Sequence, residues 1–375
     1  MDIGHNNIKM IQLEKNGPVI SVVDAAKAVV GVDTSSDCKQ RKGYITSAIK
    51  TMLAKGNFKG RQVVSSMPND QIRMTSIRLG RTETEKIEEI LRTEVTNRFA
   101  YHPDKDSINY MFAGSVRHGD EIKNEVILFA TKDETVRNHI DMLEQVELRP
   151  VGIDPVPCAL YRSFRRTLRR HEDREKTEVF VDIGGSSTTV VFGRGGNISF
   201  VKNISIGTEN INREIAQRLD IEVGEAEMLR NRLWARTRIS NTADSDEALL
   251  DEDNDLTHRA DIDPLTRQIM ADSIGSIAEE LAKEISLCFR YYTVTFRGKR
   301  VERAAFTGGG AYENIVLNVL RRQMALSVEV AEPFSGIDIT KVNFNGDRRG
   351  LLCEWAVAVG LGLKNFEPGE TKKVE

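Results

Sequence analysis

Two stretches about half a chain apart share one pattern, and that pattern constrains the fold of this 375-residue sequence more than any other feature. The first runs Asp2-Ile3-Gly4, then His5-Asn6-Asn7, then Ile8 to Leu13, a turn at Asn16-Gly17, and Val19 to Val23. The second runs Val179 to Ile183, then Gly184-Gly185-Ser186-Ser187, then Thr188 to Phe192, a turn at Gly195-Gly196, and Ile198 to Ile204. Each reads as strand, Asp-Ile-Gly turn, strand, glycine turn, strand. Copies this far apart mark a duplicated lobe rather than a short-period repeat. The expected fold class is therefore α/β, with two related lobes facing each other across a cleft. In the first copy, Ile8 to Leu13 reads as the second strand of a hairpin whose partner would lie before Met1, so the N-terminal strand reads as clipped.

The rest of the chain is organised around these copies. The first lobe is expected over 1–60 and 149–175, and the second over 176–375. Between the two parts of the first lobe, residues 61–148 read as a separate α+β unit. It holds strands at Val63 to Ser66, Ile72 to Leu79, Ile108 to Ala113 and Val126 to Ala130. Its helices are Glu83 to Phe99, opened by Thr82, and Glu134 to Glu147. Strand Val151 to Ile153 and a helix from Ala159 return the chain to the first lobe. Beyond the second copy, Asn210 to Leu219 and Val223 to Leu233 are helical. Residues 241–263 carry nine acidic side chains against Arg259 and few large apolar ones, the mark of a solvated insertion. Met270, Ile274, Ile277, Leu281, Ile285, Cys288 and Tyr292 then fall at three- and four-residue steps, a helix stripe. Strand Val301 to Thr307 leads through Gly308-Gly309-Gly310 into a helix from Tyr312 to Met324, and Leu351 to Leu361 is a last apolar helix.

The chemistry lies in the turns. A strand ending in Asp-x-Gly lets backbone N–H groups approach an anion, and its aspartate can orient water on Mg2+, which prefers carboxylate, phosphate and water oxygens. A single such turn is also an ordinary hairpin. Two in equivalent frames point instead to a clamp on a triphosphate: Asp2, Gly4 and Lys9 on one side, Asp182, Gly184 and Gly185 on the other. Asp2 and Asp182 would hold Mg2+ through water, both at solvent-facing strand ends. Gly308, Gly309 and Gly310, between a strand and a helix, would let a ribose or base lie against bare backbone. Asp154, before Pro155, is either a turn former or the residue that positions an attacking water. His5 is either a surface residue or a phosphate contact.

Bulk properties exclude several classes. A net charge of -3 gives no global pull toward nucleic acid. The helical run Arg162, Arg165, Arg166, Arg169, Arg170 has no interleaved aromatics to stack bases and reads as a solvated or partner-facing surface. Four scattered cysteines without a CxxC pair fit a reducing cytoplasm. Neither a membrane-spanning run nor a signal peptide is visible.

Taken in order, these residues resemble the actin-like ATPase superfamily, with its ribonuclease H-like lobes. Asp2-Ile3-Gly4 with Lys9 is similar to the first phosphate motif, Asp182-Ile183-Gly184-Gly185 to the second, and Thr307-Gly308-Gly309-Gly310 to the adenosine motif. Within it the chain resembles the PilM-type family of type IV pilus assembly proteins. The insertion after about 60 residues, Val151-Gly152-Ile153-Asp154, Ile206-Gly207 and Gly224-Glu225-Ala226-Glu227 carry that likeness over nearly the whole length. The resemblance implies ATP with Mg2+ as cofactor, Glu227 and Arg230 near the base, and at most slow ATPase activity. It implies as partners the cytoplasmic tail of a PilN-like inner-membrane protein, docked between the first lobe and the inserted unit, and other pilus platform proteins. A homo-oligomer is compatible with it. Location would be cytoplasmic, peripheral to the inner membrane through partners only. The chain departs from the family in having His5, Asn6 and Asn7 where small hydroxyl residues are usual, and Arg230 in place of lysine. A sugar-type kinase of the same fold and an FtsA-like membrane-associated polymer protein are the alternatives. The kinase lacks a catalytic aspartate in frame, and the polar end Asn365 to Glu375, interrupted by Pro368, is unlike an amphipathic membrane helix.

Overall fold

The computed structural model describes residues 1–30, 38–80, 86–118, 121–166, 176–234, 262–296, 301–324, 327–344 and 352–366. The acidic stretch 241–263 falls almost wholly outside the described residues, as do Thr82, Arg169 and Arg170.

The first lobe begins with β1 (Asp2–Ile3), β2 (Asn7–Asn16) and β3 (Val19–Val29), antiparallel in the order β1-β2-β3. Asp2 pairs with Lys9 and Ile3 with Ile8, so the partner strand expected before Met1 is the Asp2–Ile3 segment itself. Helix α1 (Cys38–Lys55) covers one face. Strand β4 (Gln62–Ser66) pairs in parallel with β8 (Arg149–Asp154). Its Ser66 N–H also donates to Met1 O at 3.2 Å, which brings the strands into the spatial order β3-β2-β1-β4-β8. Ile3, Ile8, Ile45, Ile49 and Met52 form the core of this lobe, and Met142 and Leu143 of α3 (Asp133–Glu144) complete it. Both ends of the 61–148 unit thus belong to the packing of the first lobe. Sequence spacing could not show this, because strand pairing is a long-range choice.

The middle of that unit forms its own sheet. Strands β5 (Arg73–Leu79), β6 (Ser107–His118) and β7 (Glu121–Thr131) are antiparallel in the order β5-β7-β6. Helix α2 (Ile87–Phe99) packs on one face through Ile87, Leu91 and Val95, residues at helical spacing. The other face, with Ile127 and Phe129, joins a cluster that includes Leu160 and Phe164 of α4 (Val156–Arg165) and Phe180, Val191 and Ile198 of the second lobe. The basic residues of α4 turn inward. Arg162 donates to Asp154 Oδ2 (2.7 Å) and Gly360 O (3.0 Å), and Arg166 donates to the carbonyls of Pro333 (2.5 Å) and Ser335. The solvated or partner-facing surface expected for that run is replaced, at Arg162 and Arg166, by crossover stitching: their guanidinium groups satisfy carbonyls from distant segments.

The second lobe repeats the first. Strands β9 (Thr177–Ile183), β10 (Thr188–Arg194), β11 (Asn197–Ile204), β12 (Val301–Thr307) and β13 (Ser327–Val330) lie in the order β11-β10-β9-β12-β13. This is the first lobe's order, with the same antiparallel hairpins and parallel β12 partners. Helices α5 (Thr208–Leu219), α6 (Val223–Trp234), α7 (Pro264–Thr295) and α8 (Asn314–Met324) surround it. The Asp263 side chain caps α7 by accepting from Thr266 N–H at 2.9 Å, with Pro264 at its first position. Met270, Ile274, Leu281, Ile285, Cys288 and Tyr292 are buried along one stripe, as the periodicity predicts. Helix α9 (Ala356–Gly362) returns to the first lobe and packs on α4. No helix among the described residues is long and apolar enough to cross a membrane.

Candidate functional site

The two Asp-Ile-Gly turns have nearly the same backbone geometry. Gly4 N–H donates to Asn7 O at 3.0 Å, and Gly184 N–H donates to Ser187 O at 3.0 Å. A Cβ at Gly4 would lie 2.9 Å from Asn7 O, and one at Gly184 would lie 2.9 Å from Ser187 O, so each turn closes too tightly for a side chain. The register puts Asp2 opposite Lys9 and Asp182 opposite Thr189.

The turns face each other. A Cβ on Gly185 would meet Asn6 Oδ1 at 2.7 Å, which places the first turn's amide directly against the second turn. His5 Nε2 lies 2.5 Å from Glu209 Oε2, a contact from the first turn to the first turn of α5. Hydrogen bonding to His5 holds Glu209 below the usual carboxylate range. The paired aspartates also share a field. Burial pushes Asp182 up to about 6, with the charge of Asp2 adding to the rise and Lys9 opposing it.

Asp2 is buried, at 8% exposure, and accepts from Ser66 Oγ at 3.0 Å, whereas a solvent-facing strand end was expected. Strand β4, docked beside β1, covers it. Lys9 is buried as well, with Nζ 3.9 Å from Glu354, and Lys27 Nζ reaches the same carboxylate at 2.7 Å. Arg41 of α1 donates to Gly4 O (3.1 Å) and His5 O (2.8 Å), bracing the first turn. Across the cleft, Asn69 Nδ2 donates to Thr189 Oγ1 at 2.8 Å beside the second turn. Ser66, Arg41, Glu354, Asn69 and Glu209 were not singled out on sequence. They carry no motif, and the side-chain contacts named here reach at least 36 residues along the chain.

The glycine triplet abuts the second turn. Gly308 has φ +82°, and a Cβ there would meet Asp182 Oδ1 at 2.4 Å and Ile183 O at 2.5 Å. Nothing lies within 4 Å of a Cβ on Gly309, which therefore presents open backbone, while Gly310 packs on Ile183 and Thr208. Thr307 Oγ1 donates to Cys353 O, tying the triplet to the segment that carries Glu354. Arg230 and Glu313 form a buried ion pair at the start of α8, at 3% exposure each, and Glu227 is half-buried on the same helix as Arg230. Asp154 has both oxygens engaged, Oδ1 by Lys364 (2.8 Å) and Oδ2 by Arg162 (2.7 Å). The structure thus gathers Asp2, Gly4, Lys9, Asp182, Gly184, Gly185 and Gly308 in one place, with Asp154 in a separate ion-pair network.

These residues fit a magnesium-bound nucleotide. A carboxylate whose proton affinity is raised by burial and by a second carboxylate nearby favours a cation between the two, and tight backbone turns suit phosphate oxygens. Among the described residues no cluster of three or more His, Cys, Asp or Glu forms a self-sufficient metal cage. Such a site would need phosphate and water to complete the shell of a divalent ion.

A family profile described as "Type IV pilus assembly protein PilM" matches residues 1–234, and one described as "Cell division protein FtsA" matches residues 179–344. Among solved structures, a "PilM-PilN type IV pilus biogenesis complex" superposes with a TM-score of 0.74 at 18% identity, covering 98% of each chain. The ethanolamine utilization protein EutJ from Carboxydothermus hydrogenoformans superposes with a TM-score of 0.51 at 13% identity, covering 96% of this chain and 87% of that one. A search of curated proteins returned no match. At these identities the structural likeness carries the fold alone, and the expected actin-like α/β fold is the one found.

Proposed function

Because this chain belongs to the PilM family of type IV pilus assembly proteins, we propose that it is a nucleotide-dependent element of a pilus assembly platform. One observation supports the nucleotide most: two equivalent Asp-Ile-Gly turns confront each other, and the Asp2 charge is felt at Asp182. In this reading Asp2 and Asp182 hold water around Mg2+, while the turn amides and Lys9 hold the phosphates. Gly308, Gly309 and Gly310 receive the ribose, and Glu227 and Arg230 border the base. The bound nucleotide supplies negative charge that bridges the two lobes. The protein's own residues orient it and exclude water. Asp154, with Arg162 on one carboxylate oxygen and Lys364 on the other, ties the crossover between the lobes.

The partner in this reading is the cytoplasmic tail of a PilN-like inner-membrane protein, recognised through the inserted sheet. That tail would keep the chain at the cytoplasmic side of the inner membrane. Phe112 of β6 is 47% exposed and offers an apolar contact. Titration calorimetry tests both halves. Asp2→Ala and Asp182→Ala are expected to weaken ATP binding at least tenfold, since each removes a carboxylate from the cation's water shell. Phe112→Asp is expected to weaken tail-peptide binding and spare ATP. Unchanged ATP affinity in both aspartate variants would overturn the clamp.

A further inference from the structure

One contact crosses the cleft between the two turns without being required by the nucleotide reading. His5 follows Gly4, and its Nε2 stands 2.5 Å from Glu209 Oε2. Glu209 sits in the first turn of α5, and Arg213, one turn further on, holds its other oxygen. The backbone at this helix start is already engaged: Thr208 N–H donates to Gly184 O at 3.0 Å and Glu209 N–H to Gly185 O at 2.8 Å. A helix start favours negative charge, and here the sequence supplies its own carboxylate, 7% exposed, beside the second turn. Asn6, next to His5, presses its amide on Gly185. His5, Asn6 and Glu209 therefore lie together between the two turns.

We propose that the His5–Glu209 pair is a latch that reads the terminal phosphate of a nucleotide, closed over a diphosphate and opened by a triphosphate. This rests on the nucleotide reading above. A phosphate entering between the turns meets the charge of Glu209, which is enclosed and poorly screened by solvent. Each added phosphate charge deepens the repulsion. Opening the pair relieves it, because His5 can then turn its ring N–H from the carboxylate to the phosphate. The pair joins the first lobe to the second, so its opening would convert phosphate count into a change in how tightly the lobes are held.

The test is calorimetric titration of the full chain with ADP and with ATP, each with Mg2+, for the unaltered protein and Glu209→Gln. The substitution keeps size and removes charge. ATP affinity is expected to rise about fivefold, as expected for removing one charge at short range, with ADP affinity within about twofold. In parallel, the His5 ring resonance, assigned by its loss in His5→Gln, is expected to move with ATP and stay in place with ADP. Equal factors for both nucleotides, or an identical His5 resonance in both complexes, would overturn the latch while leaving nucleotide binding standing. Absence of binding for either nucleotide in every form would overturn the nucleotide reading, and the latch with it. If Glu209→Gln fails to fold, the resonance comparison on the unaltered protein decides alone.

Discussion

The two Asp-Ile-Gly turns share a backbone and differ in everything that surrounds it. In both, a glycine N–H closes on a carbonyl three residues later at 3.0 Å. Around the first turn stand Lys9, Arg41 and the Ser66 hydroxyl: Ser66 donates to Asp2, Lys9 lies opposite it in register, and Arg41 holds the carbonyls of Gly4 and His5. Around the second, Thr189 takes the place of Lys9, and Gly308 presses its bare backbone against Asp182. Burial, with the charge of Asp2 adding to it, drives Asp182 up to about 6. Duplication thus preserved the turn, which backbone geometry dictates, and let the charges diverge, so that one side brings cations and the other close contact.

The largest expected effect breaks the second turn alone. Gly308→Ala puts a Cβ at positive φ against Asp182 Oδ1 and Ile183 O, and is expected to cost about 3 kcal/mol or more in thermal or denaturant unfolding. A parent-like stability would mean that the triplet does not press on the turn. Gly4→Ala and Gly184→Ala test the shared backbone. Each Cβ meets a carbonyl at 2.9 Å, and each variant is expected to lose about 2 kcal/mol, with the two losses agreeing within about 1 kcal/mol. A large disparity would show that the turns are not equivalent.

Titration sharpens the difference in charge. Asp182 ionises at about 6 in the folded protein against 3.8 as its ordinary value. The unfolded chain therefore gives up this proton first, and stability falls as pH rises from about 4 to about 6, the loss being complete above that window. Asp182→Asn is expected to gain about 2 kcal/mol over the parent at pH 7.5 and nothing at pH 3.5, allowing for its partial exposure. Denaturant unfolding at the two pH values checks this, and a gain of equal size at both would refute the assignment. Asp2→Asn removes one cause of the rise, so the Asp182 carboxyl resonance should titrate at lower pH in that variant. The smallest effects belong to the braces. Lys27→Ala, which takes one of two cations from Glu354, and Asn69→Ala, beside Thr189, are each expected to cost about 1 kcal/mol or less in denaturant unfolding.

Much of this was legible beforehand. Alternating apolar residues around a turn located both hairpins, and the helix stripe from Met270 to Tyr292 appeared with the residues predicted, because period is a local property. The glycines of the turns were legible for the same reason: a turn that closes this tightly admits few residue types. Burial of Asp2 was not legible, since it depends on β4 crossing beside β1, more than 60 residues away. Nor was the inward use of Arg162 and Arg166, which a helical wheel alone assigns to solvent.

By itself, then, the sequence determined the repeated strand-turn-strand pattern, its place along the chain and the residues of its two turns, through short-range sterics and periodicity. Tertiary structure alone decided which charges those turns see. Glu209 meets His5, Glu354 meets Lys9 and Lys27, and Asp154 is held between Arg162 and Lys364. Electrostatic partners are chosen by distance in space, and a chain folded into two lobes brings together groups that no spacing along the sequence relates.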